Sequence, residues 1–277
     1  MAIKIVKHKS NSTSTETNTV FSKIKKVQES VDKTKNLKVV VYGRSGTGKT
    51  TFSGTFPKPL LHIVCSSIGL NESIPLAKID GIYDFLLEKG EELLEIPTIV
   101  EEMSFKTVVL DHATGLQDLI LKEILGVEEI IQQKNFGMVT QAQYGQLTFQ
   151  MKQILYKLLS CNCNVVVVSQ EKEIVVDEVS GLLTPYVSTA LTPSVSSWLH
   201  AAADFMLHTY IKQKTSKVAT KVGKSEVEIE KAVSGYSFCI HIAPNPVFVT
   251  KIRTQEQKEL PEYIENPTYE KLLELVR

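Results

Sequence analysis

From Leu37 onward, short continuous apolar runs alternate with segments of helical periodicity. LKVVVY (37–42), LLHIV (60–64), KTVVL (106–110) and NVVVVS (164–169) are continuous apolar runs, as expected of strands buried on both faces of a sheet. Between them, helical patterns follow Gly48 and occupy 82–95, 112–125 and 141–160, each returning the chain for another parallel strand. Beyond Ser169, EKEIVVDEVSGLLTPYV and YSFCIHIAPNPVFVTKI read as hairpins, with a helix at 193–202 between them. The charged stretch from Tyr210 to Lys231 reads as a hairpin tip or loop, and Asn266 as the cap of a last helix with Pro267 at its first position. The expected fold is α/β, a mostly parallel central sheet flanked by helices and extended by antiparallel strands in the C-terminal half. Residues 1–36 stand apart as a Ser/Thr/Asn-rich and then lysine-rich arm, leaving 37–277 for the domain. Val20, Ile24, Val27 and Val31 recur at helical spacing, so the arm is either a solvated tail or a short amphipathic helix.

One segment carries chemistry in its pattern. Gly43-Arg44-Ser45-Gly46-Thr47-Gly48-Lys49-Thr50 fits G-x-x-x-x-G-K-[ST] in full, after a strand and before a helix. Its glycines let backbone N–H groups face phosphate oxygens, Lys49 reaches the β- and γ-phosphates, and Thr50 offers a hydroxyl to Mg²⁺. Thr51 completes the expected nucleotide-binding set. The metal needs a second oxygen ligand at the end of a neighbouring apolar strand. Asp111 ends KTVVLD, the one core run that leads straight into an acid; the metal role is favoured over simple capping of the next helix. Gln170 ends NVVVVS and could sense the γ-phosphate or its attacking water, or be an exposed strand end. Lys251 and Arg253 share one face of a strand. They are either a solvated strand end or a pair that reaches across a subunit boundary as an arginine finger.

Composition narrows the partners. With 31 basic and 31 acidic residues the net charge is zero, which excludes a globally basic nucleic-acid coat but not a local patch. No apolar run approaches the ~18 residues of a membrane span, and no secretory leader is visible, so the cytosol is expected. The four cysteines suit buried thiols better than disulfides or zinc. Only three arginines occur, Arg44, Arg253 and Arg277, which weighs against a small-molecule P-loop kinase.

VYGRSGTGKTTFSGTFPKPL, TVVLDHAT, Tyr144-Gly145, VVVVSQEKE, TKIR and NPTYEKLL occur in the order found in one family. Residues 37–275 resemble RecA-fold ATPases of the phage recombination type, the RecA-like, single-strand-annealing-associated proteins of the Sak family. The resemblance implies ATP and Mg²⁺ as cofactors, a homo-oligomeric ring or filament with ATP at subunit boundaries, and single-stranded DNA as partner. A single-strand-binding or annealing protein is a further candidate partner. It assigns Gln170 to the γ-phosphate sensor and Lys251 with Arg253 to the trans-acting finger. DNA contacts would fall to Lys134, Phe136 and Tyr144, or to Lys212, Lys214, Lys217, Lys221 and Lys224, for which packing and solvation are the alternatives. Two departures matter. RecA-class proteins usually place a glutamate just after the second strand, where this chain reads Cys65-Ser66-Ser67-Ile68-Gly69 with Glu72 the nearest acid, and His112 follows Asp111 where a small polar residue is common. Slow hydrolysis, or a nucleotide-gated loader or scaffold with little turnover, is the alternative that these departures support.

Overall fold

The computed structural model describes residues 36–65, 70–127, 139–173, 187–222, 225–253 and 259–276, all within one compact unit spanning Asn36–Arg277. The expected arm at 1–36 lies almost wholly outside them, as do Lys134, Phe136 and Lys224.

The four apolar runs are strands: β1 (Lys38–Gly43), β2 (Leu60–Val64), β4 (Thr107–Asp111) and β5 (Asn164–Glu173). A further strand, β3 (Ile82–Leu86), precedes β4. Then come β6 (Val187–Thr189), β7 (Phe205–Val222), β8 (Ser225–His241), β9 (Lys251–Ile252) and β10 (Tyr263–Glu265). The main sheet runs β10-β8-β7-β1-β5-β4-β2-β3, with β6 on β5 and β9 on β7. From β3 to β7 the neighbours are parallel; β8, β10, β6 and β9 pair antiparallel. The expected mostly parallel sheet with antiparallel extension is therefore what forms.

Successive residues of a strand point to opposite faces, and both faces are covered. On one, Val40, Tyr42, Leu61, Ile63, Val108, Leu110, Val165 and Val167 join a core with Leu116, Ile120, Met151, Leu155 and Leu199. These come from α3 (Ala113–Leu125), α4 (Gln141–Leu159) and α5 (Pro193–Ala202). A shorter helix, α2 (Ile96–Glu102), adds Ile96 and Val100. On the other face Val39, Val41, Leu60, Val109, Val166, Val168, Phe205 and Leu207 pack with Phe52 of α1 (Lys49–Ser53), Phe56 and Leu272 of α6 (Tyr269–Val276).

Four expectations need correction. The helix expected at 82–95 is β3 followed by a 3-10 turn at Gly90–Leu94; Ile82, Tyr83 and Phe85 favour the open edge of β2 over a helix. Of the hairpin tip or loop expected at Tyr210–Lys231 the structure forms a hairpin and not a loop, because β7 and β8 continue as a paired ladder to Val222 and Ser225. YSFCIHI and PVFVTKI do not pair with each other: the first lies between β7 and β10, while Lys251 and Ile252 of the second pair with β7. Finally, Asn266 is left-handed, with φ 46°, and α6 is instead capped by Thr268, whose hydroxyl accepts from the Lys271 N–H at 3.3 Å. The four cysteines are free and buried. Among the described residues no helix is long and apolar enough to cross a membrane.

Candidate nucleotide-binding site

The loop from Gly43 to Thr50 leaves the carboxyl end of β1 and enters α1. Gly43 is paired with Thr209 of β7 so closely that a Cβ there would collide with the Thr209 hydroxyl and carbonyl. Gly48, the residue before α1, has φ 85°, a conformation costly for any residue with a Cβ. The Thr47 hydroxyl donates to the Arg44 carbonyl at 2.8 Å and lies 2.7 Å from that of Thr209. Lys49 is buried, its ammonium donating to the Gly43 and Arg44 carbonyls at 2.8 and 2.6 Å. Burial holds its pKa below the ordinary lysine value, against the opposing pull of the Asp111 and Glu171 carboxylates. An anion can draw an ammonium off such neutral acceptors, because its bonds to a charged acceptor are the stronger ones.

Asp111 ends β4, almost fully buried, and accepts from the Thr50 hydroxyl at 2.6 Å. The two oxygens come from loop and strand, and Mg²⁺ favours such a donor set, in which few protein oxygens are completed by phosphate and water. The pair therefore fits the metal that the loop implies. His112, joined to Asp111 by a cis peptide, caps α3 by accepting from the Gly115 N–H at 2.9 Å. Gln170 stands opposite Gly43 in the β1–β5 register, so it flanks the start of the loop, half-buried.

Residues beyond those expected belong to the same region. His62, fully buried in β2, sits between two carboxylates: Nδ1 lies 2.9 Å from Asp84 Oδ1 and Nε2 lies 3.4 Å from Asp111 Oδ2. The Ser73 hydroxyl is 3.3 Å from Nδ1. Burial alone would lower the ring's pKa, but the bonds and charges of Asp111 and Asp84 together carry it above the ordinary histidine value. On the other side Glu171, next to Gln170, binds Arg44 Nε at 2.9 Å and His208 Nε2 at 2.8 Å. A histidine interrupting LLHIV and an acid directly after Gln170 were the available signals for both. Cys65 follows β2 as a buried thiol, its pKa pushed up by burial and further by Asp111 and Glu72. The Glu72 Oε2 atom is buried without a hydrogen-bond partner among the described residues.

Lys251 and Arg253 are not brought to this loop. Lys251 Nζ donates to the carbonyls of His200, Ala201 and Ala203 at 2.8, 3.1 and 2.6 Å, at the carboxyl end of α5. Arg253 pairs with Asp204 at 3.0 Å and donates to the Ala201 carbonyl at 2.9 Å. Both sit by the start of β7, beside the amino end of β1. Tyr144 is partly exposed on α4, and Lys212 stacks its ammonium 4.4 Å from the Tyr263 ring centre.

The fold and this loop define a P-loop nucleotide-binding domain. The chain belongs to the AAA domain family, whose model matches residues 35–254. Among solved structures it is similar to a KaiC-like protein, PH0186, from Pyrococcus horikoshii OT3, at 12% identity and a TM-score of 0.40, covering 83% of this chain and 89% of that one. It is also similar to the flagellar accessory protein FlaH from Methanocaldococcus jannaschii, at 11% identity and a TM-score of 0.33, covering 83% and 98%. No curated protein matches it in sequence.

Proposed function

We propose that the chain is an ATPase that binds Mg·ATP on Gly43–Thr50 and acts, as a homo-oligomer, with single-stranded DNA in phage-type recombination or strand annealing. The observation that supports the ATPase reading best is the 2.6 Å bond between the Thr50 hydroxyl and the buried Asp111 carboxylate, beside a lysine already held inside the loop. Thr50 and Asp111 would hold Mg²⁺, which would supply positive charge against that of the phosphates. Lys49 exchanges two backbone carbonyls for the β/γ oxygens. The loop amides and Thr51 bind the remaining phosphates, and Gln170 orients water at the γ-phosphate. The DNA partner rests on the family resemblance in sequence. ATP turnover of wild type, Lys49→Ala and Asp111→Asn, with and without single-stranded DNA across a salt series, tests both parts. Turnover abolished in both variants supports the site. Turnover in wild type that DNA neither stimulates nor inhibits, with no salt-dependent DNA binding, overturns the recombination reading.

A second reading has a specific observation behind it. Cys65, a thiol kept neutral by burial and nearby carboxylates, follows β2 where a glutamate would orient water, which favours a nucleotide-gated loader or scaffold. Tight Mg·ATP binding with negligible turnover would select it.

A further inference from the structure

The β7–β8 ladder carries an apolar patch whose position beside the loop has a chemical consequence. Phe205 and Leu207 of β7 and Ile240 of β8 point into the core shared with α1. By strand alternation, Ile211, Gln213, Tyr236 and Phe238 lie on that same face. Ile211 is in register with Phe238, and Gln213 with Tyr236. Ile240 is buried, yet Ile211, Phe238 and Tyr236 are 45%, 44% and 67% exposed. The patch abuts the loop: a Cβ built on Gly48 would lie 3.3 Å from the Phe238 ring.

The strand order gives the patch its direction. β4, with Asp111, is two places from β1 on one side; β8, with Phe238, is two places from it on the other. A nucleotide whose metal-bound β- and γ-phosphates are gripped at Thr50 and Asp111 has its nucleoside at the opposite end of the phosphate chain. With Asp111 on one side of β1, the side left for that end is the one where Phe238 of β8 lies against Gly48. We propose that Ile211 and Phe238, flanked by Tyr236, form the platform on which the base and ribose of the bound nucleotide rest. A flat aromatic face beside a branched aliphatic side chain suits a purine, which brings a large π-surface. The inference rests on the ATPase reading and extends it from the phosphates to the nucleoside.

Calorimetric titration of the full chain with Mg·ATP and with Mg–inorganic triphosphate separates the two. Wild type is expected to bind ATP more tightly than triphosphate. Phe238→Ala is expected to lose about ten- to a hundredfold in ATP affinity, the scale of one aromatic–base stack, with triphosphate affinity unchanged. Phe238→Trp retains ATP binding, and Ile211→Ala shows the same selective loss to a smaller degree. Thermal unfolding of each variant checks the fold, and Ile211→Ser supplies the measurement if Phe238→Ala fails to fold. Equal weakening of ATP and triphosphate by Phe238→Ala means that the ring only props Gly48 and overturns the platform. So does unchanged ATP affinity accompanied by loss of single-stranded DNA binding, which assigns the patch to DNA. Wild type that binds neither ligand overturns the phosphate-loop reading itself.

Discussion

Replacing His62 by alanine tests whether the buried carboxylate–histidine–carboxylate chain holds Asp111 in place. The ring is wholly buried and bridges Asp84 and Asp111. Its removal leaves Asp111, 3% exposed, with the Thr50 hydroxyl as its hydrogen-bond partner and with Lys49, whose ammonium is bonded to loop carbonyls, as the nearby cation. Stripping one member from a buried ion pair costs about 3–5 kcal/mol. Asp84 is 34% exposed and rehydrates, adding no more than ~1 kcal/mol. Against a total stability of about 5–15 kcal/mol, a loss of about 3–5 kcal/mol runs from about a fifth of the folding free energy to the whole of it. Urea unfolding followed by circular dichroism reads this directly. The cause is isolated by repeating His62→Ala in an Asp111→Asn background, where no buried charge is left unpaired and the penalty falls to about 1–2 kcal/mol. The reasoning fails if His62→Ala unfolds within ~0.5 kcal/mol of wild type, or if the loss is the same in both backgrounds.

Other consequences can be measured separately. Burial is the main cause that lowers the pKa of His200, His208 and His241; the unfolded chain, titrating near ~6.5, therefore takes up more protons in acid. Stability should fall as pH drops from about 7 to 5.5, by at most ~1.4 kcal/mol per group and pH unit, with the raised His62 acting in the opposite sense. A urea midpoint that is flat or rising across this interval contradicts the assignment. Gly48→Ala places a Cβ at φ 85° against Phe238, and a cost of about 1–3 kcal/mol together with weakened Mg·ATP binding is expected in thermal-shift titration. Arg253→Ala breaks a pair whose members are 56% and 30% exposed, worth no more than ~1 kcal/mol, so the fold persists. As a trans-acting finger, however, it should lose about 10³–10⁵ in turnover and regain activity when mixed with Lys49→Ala. Wild-type turnover in Arg253→Ala removes the finger.

How legible the fold was depended on burial on both faces. β1, β2, β4 and the first half of β5 each carry an apolar run buried in the core, and these runs needed no context. β3 is an edge strand with Tyr83, Asp84 and Leu86 exposed, so its hydrophobicity is too dilute to separate from a helix. In the outer part of β7 and β8 the ladder puts Lys217 in register with Glu230 and Lys221 with Glu226. A polar composition of that kind reads as loop in sequence. The phosphate loop and Asp111 were legible because spacing along the chain defines them. His62 with Asp84, and Glu171 with Arg44 and His208, were not, because they meet through strand order rather than along the chain.

Strand order also constrains any assembly that uses Lys251 and Arg253. Parallel strands collect the loop after β1, Gln170 on β5 and Asp111 on β4 at one end of the sheet. Arg253 N–H donates to the Asp204 carbonyl and Asp204 N–H to the Lys38 carbonyl, which fixes the cationic pair by the first residue of β1. Gly43 lies at the other end of this six-residue strand, about five steps or ~17 Å away at ~3.3 Å per residue, beyond the reach of either side chain from its anchored position. A γ-phosphate contact therefore requires a second molecule whose amino-end sheet edge faces the first molecule's loop. Such a contact joins two different surfaces, and repetition of it either closes a ring or extends a filament. A two-fold dimer matching one patch to itself would need loop and cations on a single self-complementary surface. Their placement at opposite ends of β1 makes a head-to-tail assembly the geometry that the finger demands.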